Sequence, residues 1–98
     1  MEQVTRIYEE KGATTLWLDA IRRADGSLTI AGFECGEAPM EAHGREDLEY
    51  ELTIPAAEMP KVVTALLRAL LAPSGTPITT LRASLDAGQV RHRFRFIP

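Results

Sequence analysis

The chain has 98 residues, 45% of them hydrophobic and 26% charged, with a net charge of −3. That length suits one domain and is too short for two that fold independently, and the composition is that of an ordinary soluble globular domain. The single cysteine, Cys35, excludes an intrachain disulfide and a zinc site of the paired-cysteine type.

A secreted domain this small is usually stapled by disulfides, so a reducing cytoplasm is the expected compartment. The first residues lack a basic segment followed by an apolar run, so no signal peptide is expected. The most apolar stretch, 62–72, is about half a membrane span and contains Thr64 and Arg68. The net charge hides an asymmetry. Residues 1–60 hold thirteen acids and five bases, a balance of −8, whereas residues 61–98 hold six bases and one acid, a balance of +5. Halves of opposite sign attract each other, so the basic half does not by itself require an external polyanion.

Taken in order, residues 4–11 alternate weakly and read as a first strand that ends near Gly12. Residues 13–23 are rich in β-branched and apolar types and read as a second. Asp25-Gly26 then predicts a two-residue hairpin turn, with 28–35 returning as the third strand. With Ala24 opposite Ser27, that turn fixes a register in which Leu16, Leu18, Ala20, Ala31, Phe33 and Cys35 share a core face. The other face then carries Trp17, Ile21, Leu28 and Ile30 among Asp19, Arg23 and Glu34, with Trp17 able to lie over Gly32.

Residues 36–46, with three acids, two glycines and a proline, read as an irregular loop. Residues 47–54 are an acidic strand, Asp47, Glu49 and Glu51 alternating with Leu48, Tyr50 and Leu52, stopped at Pro55. A helix is predicted from about Ala57, with Pro60 in its first turn, where a missing N–H costs nothing. Its apolar positions, Met59, Val62, Val63, Leu66, Leu67, Leu70 and Leu71, recur at helical spacing. Thr76-Pro77 predicts the start of a short second helix, with Gly88 as its C-cap, and an edge strand over residues 78–85 is the alternative. Residues 89–97 close the chain as a strand in which Arg91, Arg93 and Arg95 alternate with Val90, His92, Phe94 and Phe96. The expected order is β-β-β-β-α-α-β. This describes a single α+β domain over 1–98, an antiparallel sheet of about five strands covered on one face by one long and one short helix.

The three arginines admit three readings: a nucleic-acid contact, a charged protein-binding surface, or pairing with acids on a neighbouring strand. They can meet nucleic-acid phosphates, with affinity that falls as salt rises. Single-strand binders, however, set aromatic platforms on the same face as the charge, and Phe94 and Phe96 have the opposite parity. The reading preferred on the sequence pairs the arginines with Asp47, Glu49 and Glu51 on a neighbouring strand, at roughly 0.2–1 kcal/mol per pair. His92 has core parity and reads as a neutral packed ring. His43 lies in the acidic loop, where no ligand spacing matches a metal site. Cys35 sits near Glu34 and Glu37, a setting opposite to that of a reactive thiol. Asp19 and Glu34 read as structural partners of nearby bases, not as an acid–base pair. No phosphate loop or serine elbow is present, and no catalytic residue, cofactor or metal is expected.

The patch of Trp17, Ile21, Leu28 and Ile30 remains as the candidate partner-binding surface, since tryptophan is a favoured interface anchor. The run from Asp25-Gly26-Ser27-Leu28, through Glu49-Tyr50-Glu51-Leu52-Thr53 and Pro55, to the helix from Met59-Pro60 to Leu67 resembles a class of small bacterial proteins. These carry a hairpin, a Glu-Tyr-rich strand and an amphipathic helix, and the resemblance covers about half the chain. Some members look like immunity or antitoxin components, which implies an inhibitory protein-binding role with no catalytic residues to carry over. The expectation is a non-enzymatic protein-binding module, either a homodimer or an immunity-like inhibitor, with no membrane partner. The alternative is a nucleic-acid-binding module that uses Arg91, Arg93 and Arg95.

Overall fold

A computed structural model describes residues 2–97 as an α+β chain, with a four-stranded antiparallel sheet and three α-helices. The strands are β1 (Gln3–Glu10), β2 (Thr14–Arg22), β3 (Leu28–Gly36) and β4 (Asp47–Ile54), and they lie in the order β1-β2-β3-β4. The helices are α1 (Glu37–His43), α2 (Met59–Leu71), entered through a 3-10 turn at Ala56–Glu58, and α3 (Pro77–Ala87). By contacts the chain divides into two compact units, Met1–Pro60 with the sheet and α1, and Lys61–Pro98 with most of α2, α3 and the tail. These bounds coincide with the charge division, so the first unit carries −8 and the second +5.

The first hairpin departs from its expected register by one residue. Arg23 donates its N–H to Ser27 O at 3.0 Å, and Gly26 donates to Arg23 O at 3.0 Å. The loop is therefore three residues long, with Gly26 at φ 87° as the positive-φ residue that closes such loops. The Asp25 carboxylate fixes this form by accepting from both the Ser27 N–H, at 2.9 Å, and the Ser27 hydroxyl, at 2.6 Å. One extra loop residue moves the pairing to Arg22 opposite Leu28 and Trp17 opposite Phe33. A one-residue slip turns every β3 side chain to the other face relative to β2. The expected faces are corrected accordingly.

One face, the leucine face, now carries Leu16, Leu18, Leu28, Ile30, Leu48, Tyr50, Leu52 and Ile54, joined by Tyr8 of β1. The other, the tryptophan face, carries Trp17, Asp19, Ile21, Thr29, Ala31, Phe33 and Cys35 beside Asp47, Glu49, Glu51 and Thr53. A bulge at Ile7 keeps β1 in step with both, pairing Arg6 with Asp19 before it and Tyr8 with Leu18 after it.

Two further expectations are corrected. Residues 37–43 are helix, not loop. Thr14 Oγ1 accepts from the Ala38 N–H at 2.9 Å, and Gly44, at φ 71°, closes the last turn with its N–H on Met40 O at 2.9 Å. The fifth strand is not formed, because the segment after α3 carries no ladder among the described residues and the sheet ends at β4.

The second unit follows its sequence more closely. Pro77 opens α3 as expected, and Ser74 Oγ accepts the Thr76 N–H at 3.1 Å while lying 2.6 Å from Thr80 Oγ1. At the other end the left-handed residue is Gln89, at φ 56°, while Gly88 sits at φ −83°. Gln89 N–H reaches Asp86 O at 3.0 Å, and Val90 N–H reaches Leu85 O at 2.8 Å, which is the paired bonding of a Schellman cap.

Candidate functional site

The sheet offers two different surfaces. On the tryptophan face, Trp17 and Phe33 are cross-strand partners whose rings stack at 4.5 Å between centroids and 22° between planes. Arg6 closes the outer side, its guanidinium 5.2 Å from the Trp17 ring centroid and hydrogen-bonded to the Asp19 carboxylate. That bond, reinforced by the charges of Asp19 and Glu9, raises the Arg6 pKa above its ordinary value. Across β3, Ala31 leaves room for an open trough of about 510 Å3, lined by Trp17, Asp19, Phe33, Glu49 and Glu51. The trough thus has an aromatic wall and a rim of carboxylates. Arg6, beside Trp17, is held by Asp19.

The leucine face is largely apolar over β2, β3 and β4, with Arg22 and Glu34 as its charged members there, whereas β1 adds Tyr8 among the polar Gln3, Thr5 and Glu10. Its centre is a glycine–aromatic pair, Gly32 opposite Tyr50, in which the Tyr50 ring lies so close over Gly32 that a Cβ there would overlap it. Partial burial, and then the neighbouring Glu34 charge, push the Tyr50 phenol pKa up. Tyr8, on the far side of Leu18, donates to Glu10 at 2.7 Å, and that bond raises its pKa as well. Among the described residues no hydrophobic side chain is fully buried. Leu52 is 60% exposed, Tyr8 45% and Tyr50 39%, large values for the apolar side of a sheet.

The expected patch of Trp17, Ile21, Leu28 and Ile30 is divided by the true register. Trp17 and Ile21 lie on one face, Leu28 and Ile30 on the other. Tyr50, not Trp17, covers Gly32. Cys35 is exposed on the tryptophan face, and His43 is exposed in the last turn of α1. His92 packs locally in the tail, with Nδ1 2.9 Å from Val90 O and Nε2 3.5 Å from an Asp86 carboxylate oxygen. Arg91, Arg93 and Arg95 stand in the tail after α3, outside any helix or strand, where Phe94 meets Phe96 edge to face at 5.3 Å and lies under Arg82 at 4.5 Å.

Sequence reasoning missed Tyr8, Tyr50 and Leu52 as members of one surface. A three-residue loop closed by Arg23 and Ser27 sets Leu18 opposite Gly32, and the separate pairings of β3 with β4 and of β1 with β2 then bring Tyr50 and Tyr8 into the same row. Among the described residues no cluster of three or more metal-ligating side chains occurs, and no helix is long and apolar enough to cross a membrane. Comparison with family models, curated proteins and solved structures finds no match.

Proposed function

We propose that this chain is a non-enzymatic protein-binding module that acts as a homodimer and buries the leucine face of its sheet in doing so. The observation that carries the reading is the exposure of Tyr8, Tyr50 and Leu52 on the sheet face that holds most of its leucines and isoleucines. A sheet with one apolar face requires a second layer over it. Helix α2 has the matching character, with Val63, Leu66 and Leu70 at 53%, 64% and 41% exposure along one apolar arc. In this reading the helix layer that the sequence pattern implies is completed by the second copy. The opposite net charges of the two units favour such an exchange, because in a symmetric dimer each acidic sheet unit meets the other copy's basic helical unit, and the contact is made twice. An immunity-like inhibitory role, implied by the resemblance of the hairpin, acidic strand and helix, would use the same surface.

Sedimentation at tens of micromolar tests this. The wild-type chain should sediment as a species of twice 10.8 kDa. Leu52→Lys replaces a contact that the dimer uses twice, and should weaken association by at least about 100-fold. A wild-type monomer across that range overturns the reading. So does salt-dependent binding of the monomer to an oligonucleotide that Arg93→Gln abolishes, which would establish the nucleic-acid alternative.

A further inference from the structure

We infer that the arginine-bearing tail of one copy, residues 90–97, adds as a fifth strand to the open edge of β4 in a second copy. The inference deepens the homodimer reading and rests on it.

Three observations converge on β4. Among the described residues it pairs only with β3, so its far side presents an unpaired row of backbone donors and acceptors. It is also singular in charge, since the edge it presents puts Asp47, Glu49 and Glu51 on one face without an intervening base. At the opposite edge, β1 carries Arg6 and Glu9, which pair with each other and, through Glu9, with Lys11 just past the strand. Finally, the tail forms no ladder among the described residues and leaves Val90, Phe94, Phe96 and Ile97 exposed at 50%, 43%, 88% and 82%. An exposed segment with alternating apolar residues and no strand neighbour among the described residues suits β-augmentation.

Parity makes the match specific. Along a strand, alternate residues recur every 6.4–6.8 Å or so, and the arginines and acids share this spacing. Placing Arg93 opposite Glu49 brings Arg91 and Arg95 to Asp47 and Glu51, whichever way the tail runs. The arginines then stand on the tryptophan face, beside the carboxylate rim of the trough. The same register turns His92, Phe94 and Phe96 to the leucine face, next to Leu48, Tyr50 and Leu52. A shift of one residue would set arginines against leucines, so charge and hydrophobicity select a single parity. A two-fold exchange forms both contacts at once, each tail from a unit of +5 meeting a sheet unit of −8.

Complementary charge reversal distinguishes a partner's tail from the chain's own. One full-length variant carries Asp47→Lys, Glu49→Lys and Glu51→Lys; the other carries Arg91→Glu, Arg93→Glu and Arg95→Glu. Each alone sets like charges against each other, and its dimer should weaken on the order of 100- to 1000-fold. In an equal mixture, a heterodimer has matched charges at both contacts, so sedimentation should show the dimer restored. Far-UV circular dichroism confirms that each variant is folded, and the milder Arg93→Glu should shift the dimer in the same direction if a triple variant is not. A mixture that stays monomeric overturns the inference, as does a triple variant that remains as dimeric as wild type. If all six substitutions in one chain, but not the mixture, restore the wild-type state, the tail pairs with its own β4. A wild-type monomer would instead refute the homodimer reading itself, so the two failures are separable.

Discussion

The end of α3 offers a sharp test of how backbone conformation is set, because its glycine stands one residue before the position that needs one. Gln89 occupies the left-handed region at φ 56°, which costs a side-chain-bearing residue roughly 1–2 kcal/mol. Gly88, at φ −83°, gains nothing from being glycine. A Cβ added at Gly88 would sit 3.5 Å from Val90 Cγ2 and 3.5 Å from Ser84 O, both ordinary contacts. Gly88→Ala should therefore stabilise by about 0.4–1 kcal/mol through the unfolded chain. Gln89→Gly relieves the left-handed cost but returns about that same 0.4–1 kcal/mol of chain entropy, leaving a net gain of about 0.5–1 kcal/mol. The exchange of both residues should thus add about 1–2 kcal/mol, less any coupling between neighbours. Urea denaturation followed by far-UV circular dichroism measures it. A loss of about 1 kcal/mol or more in Gly88→Ala would refute the reasoning, because it would mean that Gly88 is the left-handed residue. The result also bears on function, since Gln89 sets the direction in which the arginine tail leaves α3.

Other consequences are equally concrete. Gly32→Ala should expel the Tyr50 ring from the leucine face, and the raised phenol pKa should fall back toward its ordinary value in a spectrophotometric titration. The Asp25 carboxyl is held below its ordinary pKa chiefly by the Ser27 hydroxyl and then by the Ser27 N–H. A depressed acid contributes stability that is present above its unfolded pKa, near 3.9, and is lost as pH falls through the lower folded value. Ser27→Ala should raise the Asp25 pKa toward the unfolded value, read by NMR titration, and should move the hairpin's acid transition to higher pH.

The sequence carried the strand positions well, and the reasons are local. Residues 47–54 alternate and stop at Pro55, and β4 spans those residues. The helical spacing from Met59 to Leu71, and Pro77 as a first-turn residue, likewise mark α2 and α3. What failed depended on partners distant in sequence or on one hydrogen bond. Asp25-Gly26 is compatible with a two- or a three-residue loop, and the Asp25–Ser27 bonds decide for the longer one. That choice flipped β3 and divided the expected Trp17, Ile21, Leu28 and Ile30 patch. Helix α1 escaped notice because its N-terminal acceptor is Thr14, more than twenty residues earlier. The tail shows the converse, since alternation gives a segment strand character but only a neighbouring edge makes it a strand.

The central claim is that this chain completes its fold by pairing with itself, and the mass in solution tests it most directly. Sedimentation equilibrium should give twice 10.8 kDa for the wild type, falling toward 10.8 kDa in Leu52→Lys. A wild-type chain that stays at 10.8 kDa at every concentration, with Leu52→Lys indistinguishable from it, would contradict the account.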